Sequence, residues 1–288
     1  MSDLLQLMIA PLVTCMVLVT MLGYLGIHII AREVIFVDLS LAQMAALGST
    51  SALLFGVAPQ SGLGYVFSFA FTLMGAFIFA MTRTERGRRR VPQEAIIGIV
   101  FVVASAATIL VADQAAGAAE HVEDILVGSI LWVTWPMILR LALVFIAVGV
   151  FHWFMRKRFI TISMHEHVAE EKGWHLRWWD FLFYASFGIA ISMAVPIAGV
   201  LLVFSFLVVP AVISFLFTRN TTLLTFSCWV CGALASALGL GLSFQFDLPT
   251  GPLIVCMFGV LLVIAWIIHR RVLVNDEEPE AVTTGSES

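Results

Sequence analysis

The chain has 288 residues, of which 61% are hydrophobic and only 12% are charged, with a formal net charge of -4. A soluble domain of this size carries about twice that charged fraction, so the composition excludes an ordinary soluble enzyme and favours a membrane protein. No basic patch with interleaved aromatic residues occurs, and the sequence therefore predicts no nucleic-acid partner.

Apolar segments of the roughly 20 residues that a bilayer requires predict an all-α, polytopic transmembrane helix bundle of about nine spans. The uncharged stretch 181–217 is too long for one span, so we divide it near 195–199 into two short helices that form a tight hairpin. The predicted spans are 4–30, 39–57, 63–81, 94–112, 136–155, the two halves of 181–217, 222–244 and 252–268.

All lysines and arginines except Arg140 lie in short clusters between these spans. Basic loops stay cytoplasmic, so the clusters predict an external N-terminus and a cytoplasmic C-terminus in a bacterial inner membrane. The clustered residues are Arg32, Arg83, Arg86, Arg88, Arg89, Arg90, Arg156, Lys157, Arg158, Lys172, Arg177, Arg219, Arg270 and Arg271.

The segments outside the spans are short, and we predict one transmembrane domain over 1–274. The polar remainder, 275–288, is predicted to be a disordered acidic cytoplasmic tail. The outer segment 113–135 includes an apolar stretch, 125–132, that favours an interfacial or re-entrant helix. The same segment holds residues of metal-ligand type, namely Glu120, His121, Glu123 and Asp124, but their pattern is more typical of a solvated acidic loop, which could dock a partner or funnel cations.

Ionisable and strongly polar groups at membrane depth are the candidate functional residues, because each costs about 2.5–3.5 kcal/mol to insert. Asp38 and Gln43 open the second span, and Glu94 opens the fourth. Each has a structural alternative. Asp38 can cap its helix, Gln43 can form an inter-helix hydrogen bond, and Glu94 can simply interact with its helix dipole.

Other polar or small residues in the spans favour structural roles. His28 is typical of a packing or hydrogen-bonding residue, and the pair Cys228 and Cys231 has no other Cys or His nearby in sequence. The run 232–241 carries small residues at four-residue spacing, which permits close helix packing within the chain or in a dimer.

The longest predicted cytoplasmic segment, 156–180, contains a plausible short helix, 164–172, that ends at Gly173. A short polar helix between two spans can bind a separate motor subunit. Its acidic residues Glu166, Glu170 and Glu171, together with Gly173, are the candidate contacts. The alternative is an amphipathic surface helix, with the tryptophans that follow it at the lipid interface.

No phosphate-binding loop or hydrolase motif occurs, but three stretches resemble the permease subunits of ABC importers for zinc, manganese and iron. They are 32–48, the segment EAIIGIVF at 94–101, and AGVLLVFSFLVVPA at 198–211. Residues 169–173 stand where that family has its ATPase-coupling helix, and GSIL at 128–131 extends the likeness over nearly the whole chain.

The resemblance implies a homodimeric transport subunit that is not itself an enzyme, with no covalently bound cofactor and a divalent metal ion as its substrate. It implies cytoplasmic ABC ATPase subunits, an external metal-binding protein and membrane lipid as partners. It also implies a substrate path along Asp38, Gln43 and Glu94, with Asp38 and Gln43 as metal ligands. The rival interpretation is a stand-alone channel or secondary transporter for a small cation.

One departure from the family pattern concerns the second span. Many members read Gly-Asp-Ala-Leu-Ser-His-Ala there, and counting back from Gly48 places Gln43 where the histidine is expected. Leu39 stands at the position of the aspartate, and Asp38 is displaced by one residue. The loss of an imidazole weakens the case for a zinc-type site.

Overall fold

The computed structural model describes residues 2–58, 61–83, 91–114, 128 and 130–276, with side chains described from 8 to 271. This part of the chain is helical throughout, apart from short turns. A 3-10 turn at Ile130–Trp132 lies between the fourth and fifth helices. The helices are α1 Ser2–Arg32, α2 Val37–Leu53, α3 Gly62–Met81, α4 Gln93–Gln114, α5 Trp135–Met164, α6 Glu166–Glu171, α7 Leu176–Ala198, α8 Val200–Phe217, α9 Thr221–Phe246 and α10 Thr250–Asp276.

Eight of these helices are long and apolar enough to cross a membrane. α2 is not one of these eight, because it has only 17 residues and carries several polar side chains. Most of α2 is buried between α3, α4 and α7, so its polar residues face protein rather than lipid. The predicted all-α bundle is therefore confirmed.

The bundle has two packed groups that share α7 and α8. In one group α2 contacts α3, α4 and α7, and in the other α1 contacts α5, α8 and α9. Small residues permit close approach between the helices. A Cβ on Gly48 of α2 would lie 2.6 Å from the backbone oxygen of Phe67 in α3, and one on Gly232 of α9 would press on Val19 of α1. The small residues of 232–241 thus serve contacts within the chain.

The described basic clusters meet at one end of the bundle, which we call the basic end. Arg32 at the end of α1 and Arg83 after α3 both bind Asp180 near the start of α7. α8 and α10 also end there, and the rings of Phe217 and His269 lie 5.7 Å apart. The described basic residues named here therefore lie together at one end of the folded bundle, as their clustering in the sequence predicted.

Two predicted boundaries at the basic end were wrong. α5 does not stop at residue 155 but continues to Met164, so part of the predicted loop 156–180 extends a membrane-spanning helix. The short helix predicted over 164–172 is α6, which covers only Glu166–Glu171. Hydropathy misplaced the end of α5, because Arg156, Lys157 and Arg158 interrupt the apolar pattern but not the helix.

The predicted division of 181–217 is correct in position but wrong in packing. The helices separate at Gly199, whose φ of 79° is a conformation that favours glycine. They do not form a tight hairpin, because α7 packs mainly on α3 and α5 whereas α8 packs mainly on α1 and α10. The backbone at Gly199 instead meets Gly128 of the outer segment, where a Cβ would collide with Ala198.

Two further predictions fall outside the described residues. The outer acidic group Glu120, His121, Glu123 and Asp124 is one, and most of the proposed tail is the other. α10 runs through Asp276, two residues into the predicted tail.

Candidate functional site

Asp38 lies in the first turn of α2 and is almost completely buried, with 2% of its surface exposed. The N-cap of this helix is Phe36, so Asp38 is not the capping residue that one interpretation required. Its Oδ1 atom is buried and has no hydrogen-bond partner within the described part of the chain. Burying a carboxylate oxygen without a hydrogen-bond partner costs free energy of folding, and Asp38 carries this cost at the start of α2.

Glu94 approaches the same helix start from the first turn of α4. Its Oε1 atom accepts a hydrogen bond from the backbone amide of Ile35, one of the amides that precede α2. Its Oε2 atom is buried and, among the described residues, has no partner. Glu94 and Asp38 are close enough to interact electrostatically. The structure thus brings together two of the three residues predicted to line the path, each with one oxygen uncommitted.

Gln43 occupies a different level of α2. It lies five residues after Asp38, which corresponds to about 7.5 Å along the helix axis at 1.5 Å per residue. Gln43 and Leu39 form a narrow, partly exposed stripe on a helix that is otherwise buried on most sides. The inter-helix hydrogen bond considered for Gln43 is not found in the part of the chain that the structure describes.

The donor set that results is made of oxygen atoms. The carboxylates of Asp38 and Glu94 lie in the first turns of α2 and α4, and the amide of Gln43 lies deeper along α2. Within the described residues, no three His, Cys, Asp or Glu side chains come together in an arrangement that could hold a metal ion. Carboxylate and carbonyl oxygens suit harder divalent cations such as Mn²⁺, whereas imidazole and thiolate suit zinc.

A buried ion network lies at the basic end, next to this pair of carboxylates. One carboxylate oxygen of Asp180 accepts a hydrogen bond from Arg32 at 2.6 Å, and the other accepts one from Arg83. Arg83 also donates to Glu166 at 2.7 Å, and Arg32 donates through Nε to Ser163 at 2.8 Å. Burial alone would lower the pKa of Arg83, but the charges of Asp180 and Glu166 outweigh it and raise that pKa above its usual value.

Sequence reasoning missed this network. Asp180 is separated from Arg83 by 97 positions and from Arg32 by 148. In the sequence Asp180 only precedes an apolar stretch, and the positive-inside rule already explained Arg32 and Arg83. Neither observation indicated that these three residues bind one another. The one available signal was that a single carboxylate stands at the inner start of a long uncharged segment.

The network also changes the role of Glu166. Its side chain is only 11% exposed and binds Arg83, so it faces the bundle rather than a partner. Glu170, Glu171 and Gly173 are exposed, as a docking surface requires. Gly173 ends the helix with a φ of 68°, and its amide donates to the Glu170 carbonyl at 2.9 Å, a typical glycine C-terminal cap.

The histidine predicted to be structural has buried polar partners. His28 Nδ1 lies 2.9 Å from the hydroxyl of Ser163, the residue that also binds Arg32. His152 pairs with Ser186 at 2.8 Å. Cys228 and Cys231 are buried and free, with Cys228 Sγ 3.4 Å from the Ser214 hydroxyl. These groups stabilise helix contacts in the bundle.

Comparison with known proteins gives the family. The ABC 3 transport family matches residues 4–269, which is nearly all of the chain. The chain belongs to this family. It is therefore a metal-type ABC permease, and the resemblance drawn from its sequence motifs is confirmed.

Relatives within the ABC 3 family are distant in sequence but similar in length. A manganese transport system membrane protein of Synechocystis is 26% identical over 216 residues, which cover 73% of this chain and 70% of that protein. One from Listeria innocua is 24% identical over 217 residues, covering 74% and 69%. The solved PsaBC from Streptococcus pneumoniae in complex with Fab contains a similar chain, with a TM-score of 0.76 and 21% identity over 92% of this chain and 94% of that one. This likeness confirms the fold.

Proposed function

We propose that this permease forms the transmembrane path of an ATP-driven importer that carries a divalent metal ion into the cytoplasm. The observation that carries the proposal is the pair of uncommitted, buried carboxylate oxygens of Asp38 and Glu94 at the start of α2. Carboxylates with free oxygens beside each other repel, and a divalent cation between them would remove that cost.

Manganese is the metal that this donor set favours over zinc. Asp38, Glu94 and Gln43 offer only oxygen, and the family's expected histidine is absent from position 43. Oxygen ligands suit Mn²⁺, and an amide is a weaker ligand than imidazole. Two relatives named as manganese transport proteins support the same choice.

The position of the carboxylates gives them a role in release. Both lie near the basic end, which the positive-inside rule places in the cytoplasm. An ion coming from outside would pass Gln43 first and reach Asp38 and Glu94 last. Because each position along this path offers only one or two ligands, the ion would bind weakly there and move on.

The remaining parts of the importer follow from the same orientation. A cytoplasmic ABC ATPase would bind the exposed face of α6, and an external metal-binding protein would deliver the ion at the opposite end. Two carboxylates are fewer than the six or so oxygen ligands that a hard cation takes. A homodimer in the bacterial inner membrane, with two copies of α2 near its axis, would double that number.

Isosteric neutral variants test the carboxylates. Asp38→Asn and Glu94→Gln remove one charge each, and the glutamine retains an oxygen that can accept from the Ile35 amide. We expect each variant to lower uptake of labelled manganese by about tenfold or more, since one lost charge–metal contact is worth at least about 1.4 kcal/mol. Initial uptake rates would be measured in cells that lack other manganese importers.

The matched control is Asp113→Asn. Asp113 is an exposed carboxylate at the far end of α4, and within the described residues it accepts a hydrogen bond from its neighbour Gln114. It should leave uptake unchanged. Wild-type uptake by both Asp38→Asn and Glu94→Gln, at equal membrane abundance, would show that the two carboxylates are structural and that the proposal places the path wrongly.

A further inference from the structure

α6 is joined to α7 and to the end of α1 by buried ion pairs, and short backbone segments lead from these pairs to the two carboxylates Asp38 and Glu94. The first contact is between Glu166, at the start of α6, and Arg83, which lies in the segment after α3. Arg83 uses a second nitrogen to bind Asp180 of α7. One planar guanidinium therefore connects three separate elements, and it does so while only 10% exposed.

The contacts continue from Asp180 toward the metal path. Arg32 binds the other oxygen of Asp180 and lies just before the turn that contains Ile35. The Ile35 amide is the group that binds Glu94. The end of α1, which carries Arg32, therefore connects the ion network to the start of α2.

A second connection leads through α4. Gln93 lines the same small cavity of about 20 Å³ as Arg32, Arg83 and Asp180. Its Nε2 atom lies 3.4 Å from the hydroxyl of Tyr184 and 3.3 Å from the Phe79 carbonyl. Gln93 immediately precedes Glu94, so a movement of the network shifts the helix turn that presents this carboxylate.

The charges in the network favour a rigid link. Arg32 and Arg83 offset Asp180 and Glu166, so the four buried groups sum to zero. Separating any pair would leave a buried charge uncompensated, which is strongly unfavourable. Displacing α6 therefore tends to carry Arg83 and Asp180 with it.

We propose that Arg83 is the positioning residue that transmits displacement of α6 to α7 and to the carboxylates at the start of α2. This inference rests on the proposed function, because it assumes that an ATPase moves α6. Arg83 touches neither metal nor nucleotide in this account. It acts through Glu166 on one side and Asp180 on the other.

Two variants separate this role from simple folding. Arg83→Lys keeps the charge but lacks the planar fork that binds two carboxylates at once. Glu166→Ala removes the bond to α6 and leaves Asp180 with both arginines. The control is Lys157→Ala, which removes an exposed charge at the same end of the bundle.

The experiment uses the full complex of permease, ATPase and metal-binding protein in proteoliposomes. Manganese transported per ATP hydrolysed is measured for each complex, after gel filtration has shown normal assembly. We expect Arg83→Lys and Glu166→Ala each to lower that ratio at least about fivefold, the lower end of typical coupling between sites. The double variant should be no worse than the more affected single variant, because both break one link.

The outcomes distinguish the inference from the function on which it rests. A normal ratio in assembled Arg83→Lys and Glu166→Ala complexes would overturn the inference while leaving the importer intact. Additive losses in the double variant would overturn it too, since they would mean two independent effects. A wild-type complex that moves no manganese would overturn the proposed function and the inference together.

Discussion

Glu94 has a structural contact and, under the proposed function, would also bind the transported ion. One of its oxygens binds the Ile35 amide before α2, and the other is uncommitted. A change to alanine would remove both the hydrogen bond to the Ile35 amide and the charge, and a hydrogen bond to a charged group alone contributes about 1.5–3 kcal/mol. Only the glutamine variant separates the two roles, so a transport defect in Glu94→Ala carries little information about metal binding.

We expect a substitution at Gln43 to change the metal preference of the permease. Gln43→His restores the imidazole expected from the family and should increase the affinity of the purified permease for zinc, by about tenfold for one added nitrogen ligand. Tighter binding should also slow release and lower the maximal rate of zinc transport. Isothermal titration with zinc and with manganese would measure the change.

The control for this variant is Gln114→His, which adds an imidazole at the exposed end of α4. If Gln114→His raises zinc affinity as much as Gln43→His does, the gain comes from surface histidine and position 43 is not on the path.

At the level of single elements, α6 has one face that packs on the bundle and one face that is exposed. Glu166 and Ala169 face the bundle, whereas Glu170 and Glu171 face outward. The sequence predicted all three glutamates to be docking residues, because hydropathy does not show which side of a six-residue helix will be covered. The orientation of α6 depends on Arg83, which is distant in sequence and which the sequence analysis used only as one of the basic residues that indicate the cytoplasmic side.

Reversing the outward charges tests the docking surface. The variant Glu170→Lys/Glu171→Lys should weaken binding of the ATPase to the permease by about tenfold or more while leaving the network of Arg83 intact, since like charges across an interface are unfavourable. Co-purification of the ATPase with the tagged permease, followed by titration, would measure the loss.

Asp113→Lys at the opposite end of the bundle provides the control and should bind the ATPase normally. Undiminished ATPase binding by the double reversal would mean that α6 does not dock through these glutamates.

For the whole molecule, hydropathy was enough to predict the helices, whereas their orientation in the membrane stays a prediction from charge. The length of each apolar stretch reflects the bilayer, and the basic clusters reflect the side on which loops remain. The packing was not predictable in the same way. The divergence of α7 and α8 depends on which helices cover them, and the site depends on α4 approaching the start of α2, neither of which leaves a pattern in the sequence.

The orientation of the bundle can be tested with single cysteines at its two ends. We expect Asp247→Cys, between α9 and α10, to react with a membrane-impermeant maleimide in intact spheroplasts. Glu171→Cys at the basic end should react only after the membrane is permeabilised, because basic loops stay cytoplasmic. The unsubstituted protein, whose four cysteines include the exposed Cys256, gives the background. The reverse labelling pattern would contradict the assigned orientation.

The central claim is that ATP hydrolysis by a separate subunit drives metal through this permease. Proteoliposomes with the reconstituted permease, ATPase and metal-binding protein, and with labelled manganese outside, test it most directly. We expect manganese to accumulate inside above the external concentration only when ATP is supplied, and this accumulation to be lost when Asp38→Asn and Glu94→Gln are combined. Equilibration of manganese without ATP, at a rate that neither the ATPase nor the binding protein alters, would contradict the account and support a stand-alone channel.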